Sequence, residues 1–460
     1  MSTQTRSLIK FQQGDLASLR ARVLDDLSRE QFAVLLGKTQ KINGQTIIKV
    51  IDLLFLEPAD YAQQSVTFLR IKKQFIHRAL AELTRRYDVD TLIDVHTHPF
   101  SQGRVAFSPT DDADERQFFQ FLQETFTGIN YASIVFSQRQ YSARIWTFKS
   151  HAIVARSALI KTQTSPENIR RSIASDERDE TPAAFETEEI FQRSSQVLGL
   201  DVMRTMMHDQ VISVIGVGGL GSVIAEHLIH MGFQTINLID PDILEVSNLN
   251  RVVGAYYEDA QQQRSKVEVV KRHLTRINPQ ATVRACNRDV HDEELESVLA
   301  LSDWMIVATD NHASRLRVQE LSITYFVPLL SVGVNITVKG NKVEDMSGEV
   351  ITARVGDALC LQCLKRINPI QVASERHPDT TIREALVQRG YVTGKEIKEP
   401  AVKTLNTFVA TMAVEVLVNQ YTEMRRHVPI LVYENTDPMS VYEDRESVQQ
   451  RNKHCFLCTI

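Results

Sequence analysis

With 460 residues, the chain is long enough for two or three domains, each with its own hydrophobic core. Its net charge of −5 and its ordinary composition exclude a general affinity for nucleic acid or for an anionic membrane surface. The first residues, MSTQTRSLIKFQQGD, lack an uninterrupted apolar run, so we expect no secretory signal and a cytoplasmic protein.

The first 150 residues predict alternating helices and strands. A helix is expected over residues 14–28, leading to Glu30. Two β-rich runs follow, FAVLLG and GQTIIKVIDLLFLE, and the Asn-Gly turn signal between them predicts a hairpin. The apolar spacing of residues 71–87 predicts a second helix.

A strand, LIDVHTH, then presents two histidines at its end. Because His96 and His98 are two residues apart on a strand, they point to the same side, and Asp111 follows after a loop. Two imidazoles and a carboxylate, with a fourth position left for water, are typical of a catalytic zinc site. Histidines near an aspartate are equally common as plain polar surface, so this pattern alone leaves both interpretations open.

The wider pattern resembles the JAMM signature of the JAB/MPN metalloprotease family. H-T-H is followed after nine residues by S-x-x-D (108–111), and a glutamate upstream begins E-x-x-x-x-L-x-G (30–37). The resemblance implies an N-terminal α/β metal-dependent peptidase domain over residues 1–152. It also implies roles for five side chains: zinc ligation by His96, His98 and Asp111, general-base catalysis by Glu30, and oxyanion stabilisation by Ser108.

Other residues near this pattern have competing or simpler interpretations. Glu57 also follows an apolar strand and is the alternative base, but it lacks the L-x-G context. Ala33 stands where many members of the family have glycine, a small change that leaves the site intact. Asp112 and Asp114 are expected only to charge the first turn of the next helix.

Beyond an edge-like strand, YSARIWTF, residues 153–187 are rich in Ser, Thr, Pro and charge, which predicts a linker. A second domain over residues 188–460 follows. Its central stretch, residues 211–251, predicts a strand, a glycine-rich loop, a helix and a second strand ending at Asp240. Such a loop approaches phosphates at a helix N-terminus, and Asp240 is placed to accept hydrogen bonds from a ribose. Four glycines form the loop: Gly216, Gly218, Gly219 and Gly221.

The loop alone fits a dehydrogenase as well as a nucleotidyl-transfer enzyme, and later residues favour the latter. Strands and helices alternate, which predicts a doubly wound, mostly parallel, Rossmann-like sheet with its site at the strand C-termini. Single cations on helices are usually solvated, and an aspartate after a strand often only caps a turn. Five polar residues are nevertheless expected to converge there: Asp240, Asn248, Arg251, Lys266 and Asp310.

Together these residues resemble the ThiF/ubiquitin-activating superfamily. The matching segments are GVGGLGS (216–222), D-x-D (240–242), S-N-L-N-R (247–251), Lys266 and T-D-N (309–311). The resemblance implies a homodimer that uses ATP and magnesium to adenylate a carboxylate. By position it assigns ribose binding to Asp240, phosphate binding to Asn248, Arg251 and Lys266, magnesium binding to Asp310, and an arginine reaching the partner subunit's ATP site to Arg193.

Four of the five cysteines form two Cys-x-x-Cys pairs, which predict a structural zinc site more than disulfides or a redox site. The ligands would be Cys360, Cys363, Cys455 and Cys458, a tetrad that the superfamily often carries. The remaining Cys286 is expected to be a buried core thiol. Ubiquitin-activating members keep an acceptor cysteine in the crossover segment, but residues 364–403 contain none. We therefore expect transfer to an external acceptor, such as a sulfur donor, an amine or the cysteine of a conjugating-enzyme-like partner.

The two resemblances predict a bifunctional protein. The first domain would cleave after the C-terminal glycine of a ubiquitin-like protein or sulfur carrier, or release it from conjugates. The second domain would then adenylate the exposed carboxylate. Two alternatives stay open: the first domain serves only as a binding module, or the second adenylates a short peptide or small acid. The apolar-faced helix starting at KTLNTFVATMAVEVL is predicted to be core or dimer interface.

Overall fold

The computed structural model describes residues 7–42, 44–150, 152–162, 189–339, 342–376 and 402–458. Within them the chain forms two units, an N-terminal one up to residue 162 and a C-terminal one from residue 189. Among the helices of these ranges, none has both the length and the apolarity needed to cross a bilayer.

The N-terminal unit is built on a barrel closed in the order β1-β3-β2-β6-β7-β8-β9, and β4 and β5 form a separate hairpin. Its elements are β1 (Ser7–Phe11), α1 (Asp15–Val23), β2 (Phe32–Ile42), β3 (Gln45–Phe55), β4 (Tyr61–Gln64), β5 (Leu69–Ile71), α2 (Lys73–Arg85), β6 (Thr91–Thr97), α3 (Pro109–Thr125), β7 (Asn130–Phe136), β8 (Tyr141–Lys149) and β9 (Ala152–Thr162).

The predicted hairpin is present as β2 and β3, but three expectations differ from the structure. Helix α1 ends at Val23 rather than at residue 28. Strand β8 is not at an edge, since it pairs with β7 on one side and β9 on the other. Strand β9 occupies residues 152–162, most of which were assigned to the linker, and it pairs in parallel with β1. Closing the barrel in this way removes the exposed strand edge.

Successive side chains of strand β6 point alternately into two apolar clusters. Ile93 and Val95 pack into the cluster that includes helix α1, whereas Leu92 packs with helices α2 and α3. Because side chains alternate along a strand, Asp94 and His96 share the side of Leu92. The first histidine of the predicted metal site therefore faces helix α3.

The C-terminal unit contains an eight-stranded sheet. Its elements are α4 (Gln192–Leu198), α5 (Leu200–Arg204), β10 (Val211–Ile215), α6 (Gly221–Met231), β11 (Thr235–Ile239), α7 (Tyr257–Gln261), α8 (Lys266–Ile277), β12 (Thr282–Cys286), α9 (Glu296–Ala300), β13 (Trp304–Val307), α10 (His312–Tyr325), β14 (Leu329–Lys339), β15 (Lys342–Ala353), α11 (Pro369–Arg376), α12 (Lys403–Thr422), β16 (Ile430–Glu434), β17 (Ser440–Glu443) and α13 (Arg445–Gln449). Single 3₁₀ turns lie at Pro58–Asp60, Glu189–Phe191, Val246–Asn248 and Glu293–Leu295, and a π turn lies at Thr205–Asp209.

The strand order is β12-β11-β10-β13-β14-β15-β16-β17. The five strands from β12 to β14 are parallel, as the doubly wound prediction requires, and the last three are antiparallel. The chain runs outward from β10 to β12 and then returns to the other side of β10 as β13. The strand order thus reverses between β10 and β13, and open α/β sheets bind ligands at such a point.

Candidate nucleotide and metal sites

The glycine-rich loop leaves β10 at the point where the strand order reverses. Gly216 has a φ of +86°, and a Cβ there would lie 2.9 Å from the carbonyl carbon and oxygen of Ala308. A Cβ at Gly221 would lie 1.8 Å from the carbonyl oxygen of Gly216. Both positions therefore require glycine. A Cβ at Gly218 would meet nothing within 4 Å, so open space lies beside the loop.

Asp240, at the end of β11, braces this loop. One carboxylate oxygen accepts a hydrogen bond from the Val217 amide at 2.7 Å, and the other accepts one from the Asp242 amide at 2.9 Å. Burial raises the pKa of Asp240, against the opposing effect of Lys266. Each carboxylate oxygen keeps a second lone pair, so the side chain can still accept a hydrogen bond from a ribose hydroxyl.

Arg251 reaches the same loop from the segment after β11, and Asn248 lies three residues before it. The aliphatic part of Arg251 lies 2.8 Å from the position that a Cβ of Gly219 would take, and its guanidinium donates to the Ser247 carbonyl at 2.7 Å. Asn248 is buried, and its side-chain oxygen accepts a hydrogen bond from the Glu245 amide at 3.0 Å. The loop thus has the Arg251 side chain against it, and the structure gives Asn248 no hydrogen bond with the loop among the described residues.

Three other segments carry the remaining predicted site residues, Lys266, Asp310 and Arg193. Lys266 begins helix α8, and its ammonium contacts the Asp242 carboxylate at 2.7 Å. Asp310 is exposed just after β13, and the residues before it, at 308 and 309, contact Gly216. Arg193 is exposed on α4. The structure joins the loop, Asp240 and Arg251 directly, and it links Lys266 to them through Asp242.

Helix α12 also reaches the loop, which the sequence analysis missed. A Cβ at Gly219 would lie 2.6 Å from the side-chain nitrogen of Asn406, and the Lys403 ammonium donates to the Arg251 carbonyl at 3.0 Å. The helix otherwise packs as predicted core, against α6, β14 and β15. The one sequence signal was an amide, Asn406, among apolar positions.

A cleft of about 440 Å³ lies beside the antiparallel part of the sheet. Arg315 lines one part of it and donates to the Thr309 carbonyl at 3.1 Å, which places this part next to the segment after β13. Arg366 lines the cleft too and bonds Glu349 at 3.0 Å. The cleft therefore combines two arginines with two carboxylates, Glu349 and Asp444, and it is connected to the segment after β13.

The four paired cysteines lie together. The sulfurs of Cys360 and Cys455 are 3.6 Å apart, and those of Cys360, Cys455 and Cys458 all lie within 4.8 Å of one another. Hydrogen bonding with Cys360 lowers the pKa of Cys363 to about 6. Zinc–sulfur bonds of about 2.3 Å imply sulfur separations of about 3.8 Å in a tetrahedron. The donor set therefore fits zinc, whereas Cys286 lies apart from it as a buried thiol.

The N-terminal unit contains a second set of possible metal ligands, His96, His98 and Asp111. The Nε2 atoms of the two histidines lie 3.5 and 3.6 Å from the Asp111 carboxylate oxygens. Zinc bonds of about 2.0–2.1 Å imply ligand separations of about 3.3 Å. The buried Nε2 of His96 has no hydrogen-bond partner among the described residues, as expected of an atom reserved for a metal. These residues therefore fit a zinc ion.

Glu30 lies beside this donor set, whereas Glu57 lies on the exposed surface. Burial raises the pKa of Glu30 to about 7, with smaller effects from His96 and Asp111. The Glu30 amide donates to the Ser65 carbonyl at 2.8 Å, which holds the segment against the β4–β5 hairpin. Glu57 instead is exposed and pairs with Arg22 at 3.7 Å.

Ser108 caps helix α3 and fixes Asp111. Its hydroxyl oxygen accepts a hydrogen bond from the Asp111 amide at 3.2 Å, and its own amide donates to the Asp111 carboxylate at 2.6 Å. The hydroxyl proton remains available for a ligand.

A buried polar network behind His96 was not predicted. Glu115 accepts hydrogen bonds from Arg144 at 2.9 Å and from the indole of Trp146 at 2.8 Å, and Asp94 accepts one from Tyr131. Asp112, expected only to charge a helix turn, also pairs with Arg144. Alternation along β6 was the available signal, because it places Asp94 on the side of His96.

Comparison with known proteins concerns the C-terminal unit. Residues 192–457 match the ThiF family. The molybdopterin-synthase adenylyltransferase of Escherichia coli is 32% identical over 161 residues, which are 35% of this chain and 61% of that protein. The sulfur carrier protein ThiS adenylyltransferase of the same organism is 31% identical over 134 residues, 29% of this chain and 52% of that protein.

A eukaryotic relative is more distant. SUMO-activating enzyme subunit 2 of Dictyostelium discoideum is 29% identical over 163 residues, which are 35% of this chain and 23% of that protein. The chain thus spans less than two-thirds of the length of each of these three relatives.

Proposed function

Because the chain belongs to the ThiF family, we propose that its C-terminal unit uses ATP to adenylate the C-terminal carboxylate of a ubiquitin-like protein or sulfur carrier. The observation that carries this proposal is the glycine loop at the reversal of strand order, with Arg251 against it and Asp240 bracing it. The relatives that act on a sulfur carrier or on SUMO, by their names, support this substrate class.

In this reaction the carboxylate attacks the α-phosphorus of ATP, pyrophosphate leaves and an acyl-adenylate forms. Charge develops on phosphoryl oxygens, so cations and backbone N–H groups provide most of the stabilisation. Magnesium, when bound, neutralises part of that charge. Arg251 and Lys266 supply positive charge, and the N-terminus of α6 adds oriented N–H groups. Asp240 would orient the ribose, Asn248 would bond the phosphates, and Asp310 would hold the magnesium ion.

The cleft beside β14 and β15 is the proposed path of the substrate tail. Its Arg315 bonds the carbonyl of Thr309, the residue before the proposed magnesium ligand. A carboxylate lying along the cleft would therefore meet a guanidinium before it reaches the nucleotide. Arg366, already paired with Glu349 and Asp444, would bond main-chain carbonyls of the tail.

The acyl group would leave as the adenylate, without first forming a thioester with a cysteine of this chain. Residues 364–403 contain no cysteine, and Cys286 is buried in β12. We propose that an external sulfur donor, an amine or the cysteine of a conjugating-enzyme-like partner takes the acyl group. Arg193, exposed on α4, is proposed to reach the ATP site of the partner subunit in a homodimer.

A second activity is proposed for the N-terminal unit, which we interpret as a JAB/MPN-type zinc peptidase. The observation that favours it is the convergence of His96, His98 and Asp111, with a buried carboxylate, Glu30, beside them. Zinc, when bound, lowers the pKa of a water molecule towards about 7. Glu30 would accept a proton, and the Ser108 hydroxyl would donate to the developing oxyanion.

The two activities together would process and then activate one ubiquitin-like protein. Cleavage after a terminal glycine creates the free carboxylate that the C-terminal unit adenylates. The alternatives are an N-terminal unit that only binds the substrate, and a C-terminal unit that adenylates a peptide rather than a folded carrier.

ATP–pyrophosphate exchange tests the adenylation proposal. The full chain is incubated with ATP, magnesium and labelled pyrophosphate, and with a ubiquitin-like sulfur carrier that ends in glycine. We expect exchange with the free carboxylate and none with the same protein amidated at its C-terminus. Equal exchange with both forms would reject carboxylate activation. Exchange with a peptide of the last few residues alone, but not with the folded carrier, would favour the peptide alternative.

A further inference from the structure

Three segments that are distant in the sequence meet at Gly219. They are the glycine loop itself, the segment that carries Arg251, and the start of helix α12. A Cβ at Gly219 would lie 2.6 Å from the side-chain nitrogen of Asn406 and 2.8 Å from the Cδ of Arg251. The loop is therefore covered from one side by a helix that begins almost two hundred residues later.

Asn406 is buried, at 3% exposure, yet its carboxamide forms no hydrogen bond with the part of the chain that the structure describes. Polar side chains with so little exposure are normally hydrogen-bonded. An apolar residue of the same size would fill the space beside Gly219 equally well. The unpaired amide, directed at a loop whose glycines leave open space, is therefore best explained by a ligand that accepts its hydrogen bond.

Lys403 lies one turn earlier on α12 and brings charge to the same place. Its ammonium donates to the Arg251 carbonyl at 3.0 Å, so it is fixed against the segment that borders the loop. An ammonium has three N–H donors, and this bond uses one of them. The first amides of a helix are also free of intrahelical partners. Each of these groups favours an anion at the loop.

We propose that Asn406 donates a hydrogen bond to the phosphate chain of ATP held at the glycine loop, and that Lys403 adds positive charge there. The inference rests on the proposed adenylation, and it adds a phosphate-binding group that comes from beyond the Rossmann-like part of the fold. A phosphate fits better than a substrate carboxylate because the amide faces Gly219, in the middle of the loop.

Nucleotide titrations of the full chain test this assignment. Asn406→Leu keeps the size of the side chain but removes the donor, and Asn406→Asp places a negative charge beside the phosphates. We expect the affinity for Mg-ATP to fall about tenfold in the first variant and about a hundredfold in the second. Affinity for adenosine should stay within about twofold, because adenosine has no phosphate. Lys403→Met should weaken Mg-ATP binding in the same selective way.

Asn419→Asp is the matched control, because it makes the same chemical change near the end of the same helix, where Asn419 bonds the Arg425 carbonyl. It should leave both affinities unchanged. Unaltered Mg-ATP binding in Asn406→Asp would overturn the inference. Equal losses of adenosine and Mg-ATP affinity in the Asn406 variants would overturn it too, by showing a structural role. Failure of the unmodified chain to bind Mg-ATP would instead overturn the proposed adenylation, and the inference with it.

Discussion

The proposed sites of the two units suit ligands of opposite charge. In the C-terminal unit, Arg251 lies against a loop of glycines, Lys403 bonds the Arg251 carbonyl, and Lys266 is linked to Asp240 through Asp242. In the N-terminal unit, buried carboxylates surround two imidazoles. The first arrangement suits a polyphosphate and the second suits a metal cation. Because the two sites use different residues in different units, each site can be altered by itself, and substitutions should separate the two proposed activities.

The largest difference between the effects on the two proposed activities is expected from Asp310→Ala. This change removes the proposed magnesium ligand, and we expect ATP–pyrophosphate exchange to fall about 10²–10³-fold because the phosphoryl charge loses its counter-ion. Peptidase activity should remain. The matched control is Asp289→Ala, which changes an exposed aspartate of the same unit whose carboxylate pairs with His291. Undiminished exchange in Asp310→Ala would reject the magnesium site.

The reverse separation is expected from Glu30→Gln. Removing the proposed general base should lower cleavage of a ubiquitin-like precursor, extended beyond its terminal glycine, about a hundredfold or more. Exchange of pyrophosphate on the mature protein should be unchanged. Glu57→Gln, at the exposed glutamate, should leave both activities intact. Cleavage that survives Glu30→Gln but not Glu57→Gln would move the base to the alternative position.

Metal content distinguishes the sites without any assay of activity. We expect about two zinc ions per chain by elemental analysis. His98→Ala should lose one of them and leave adenylation intact. Cys455→Ser should weaken the other and destabilise the C-terminal unit, because structural zinc contributes directly to folding. An N-terminal site that never holds zinc would favour the binding-module alternative.

The smallest effect concerns pH. Burial raises the pKa of Glu30 from 4.5 to about 7, so ionisation of Glu30 opposes folding of the metal-free unit as pH rises above 4.5. Glu30→Gln should therefore stabilise the metal-free N-terminal unit by about 1–3 kcal/mol at pH 8 and by little at pH 4.5. Thermal melting in a chelator measures the difference. A gain of equal size at both pH values would contradict the assigned cause.

Local patterns in the sequence predicted much of both units. Alternation along β6 placed His96 on the side that faces helix α3, whereas His98 lies just beyond the strand, and the Asn-Gly signal predicted the β2–β3 hairpin. The spacing of strands and helices predicted the parallel part of the large sheet. These features depend on neighbours within a few residues, which is why a sequence alone reveals them.

Features that depend on distant partners were missed. Strand β9 was assigned to a linker because its partner β1 lies at the other end of the unit. No local sequence pattern indicates that pairing. Arg144, on strand β8, reaches Glu115 on helix α3, and Asn406 reaches the glycine loop from far along the chain. In each case the residue was visible, but what it would contact was decided by the fold.

The cysteine tetrad has a consequence for chain continuity. The two Cys-x-x-Cys pairs meet in space, so the residues between them, including helix α12, form a loop whose two ends are joined. Strand β16, inside that loop, also pairs with β15, outside it. A single backbone cut between the two pairs would therefore leave the fragments held together by the sheet and, if zinc is bound at the cysteines, by the metal as well. The C-terminal unit should consequently tolerate being expressed as two pieces, with α12 supplied by the second.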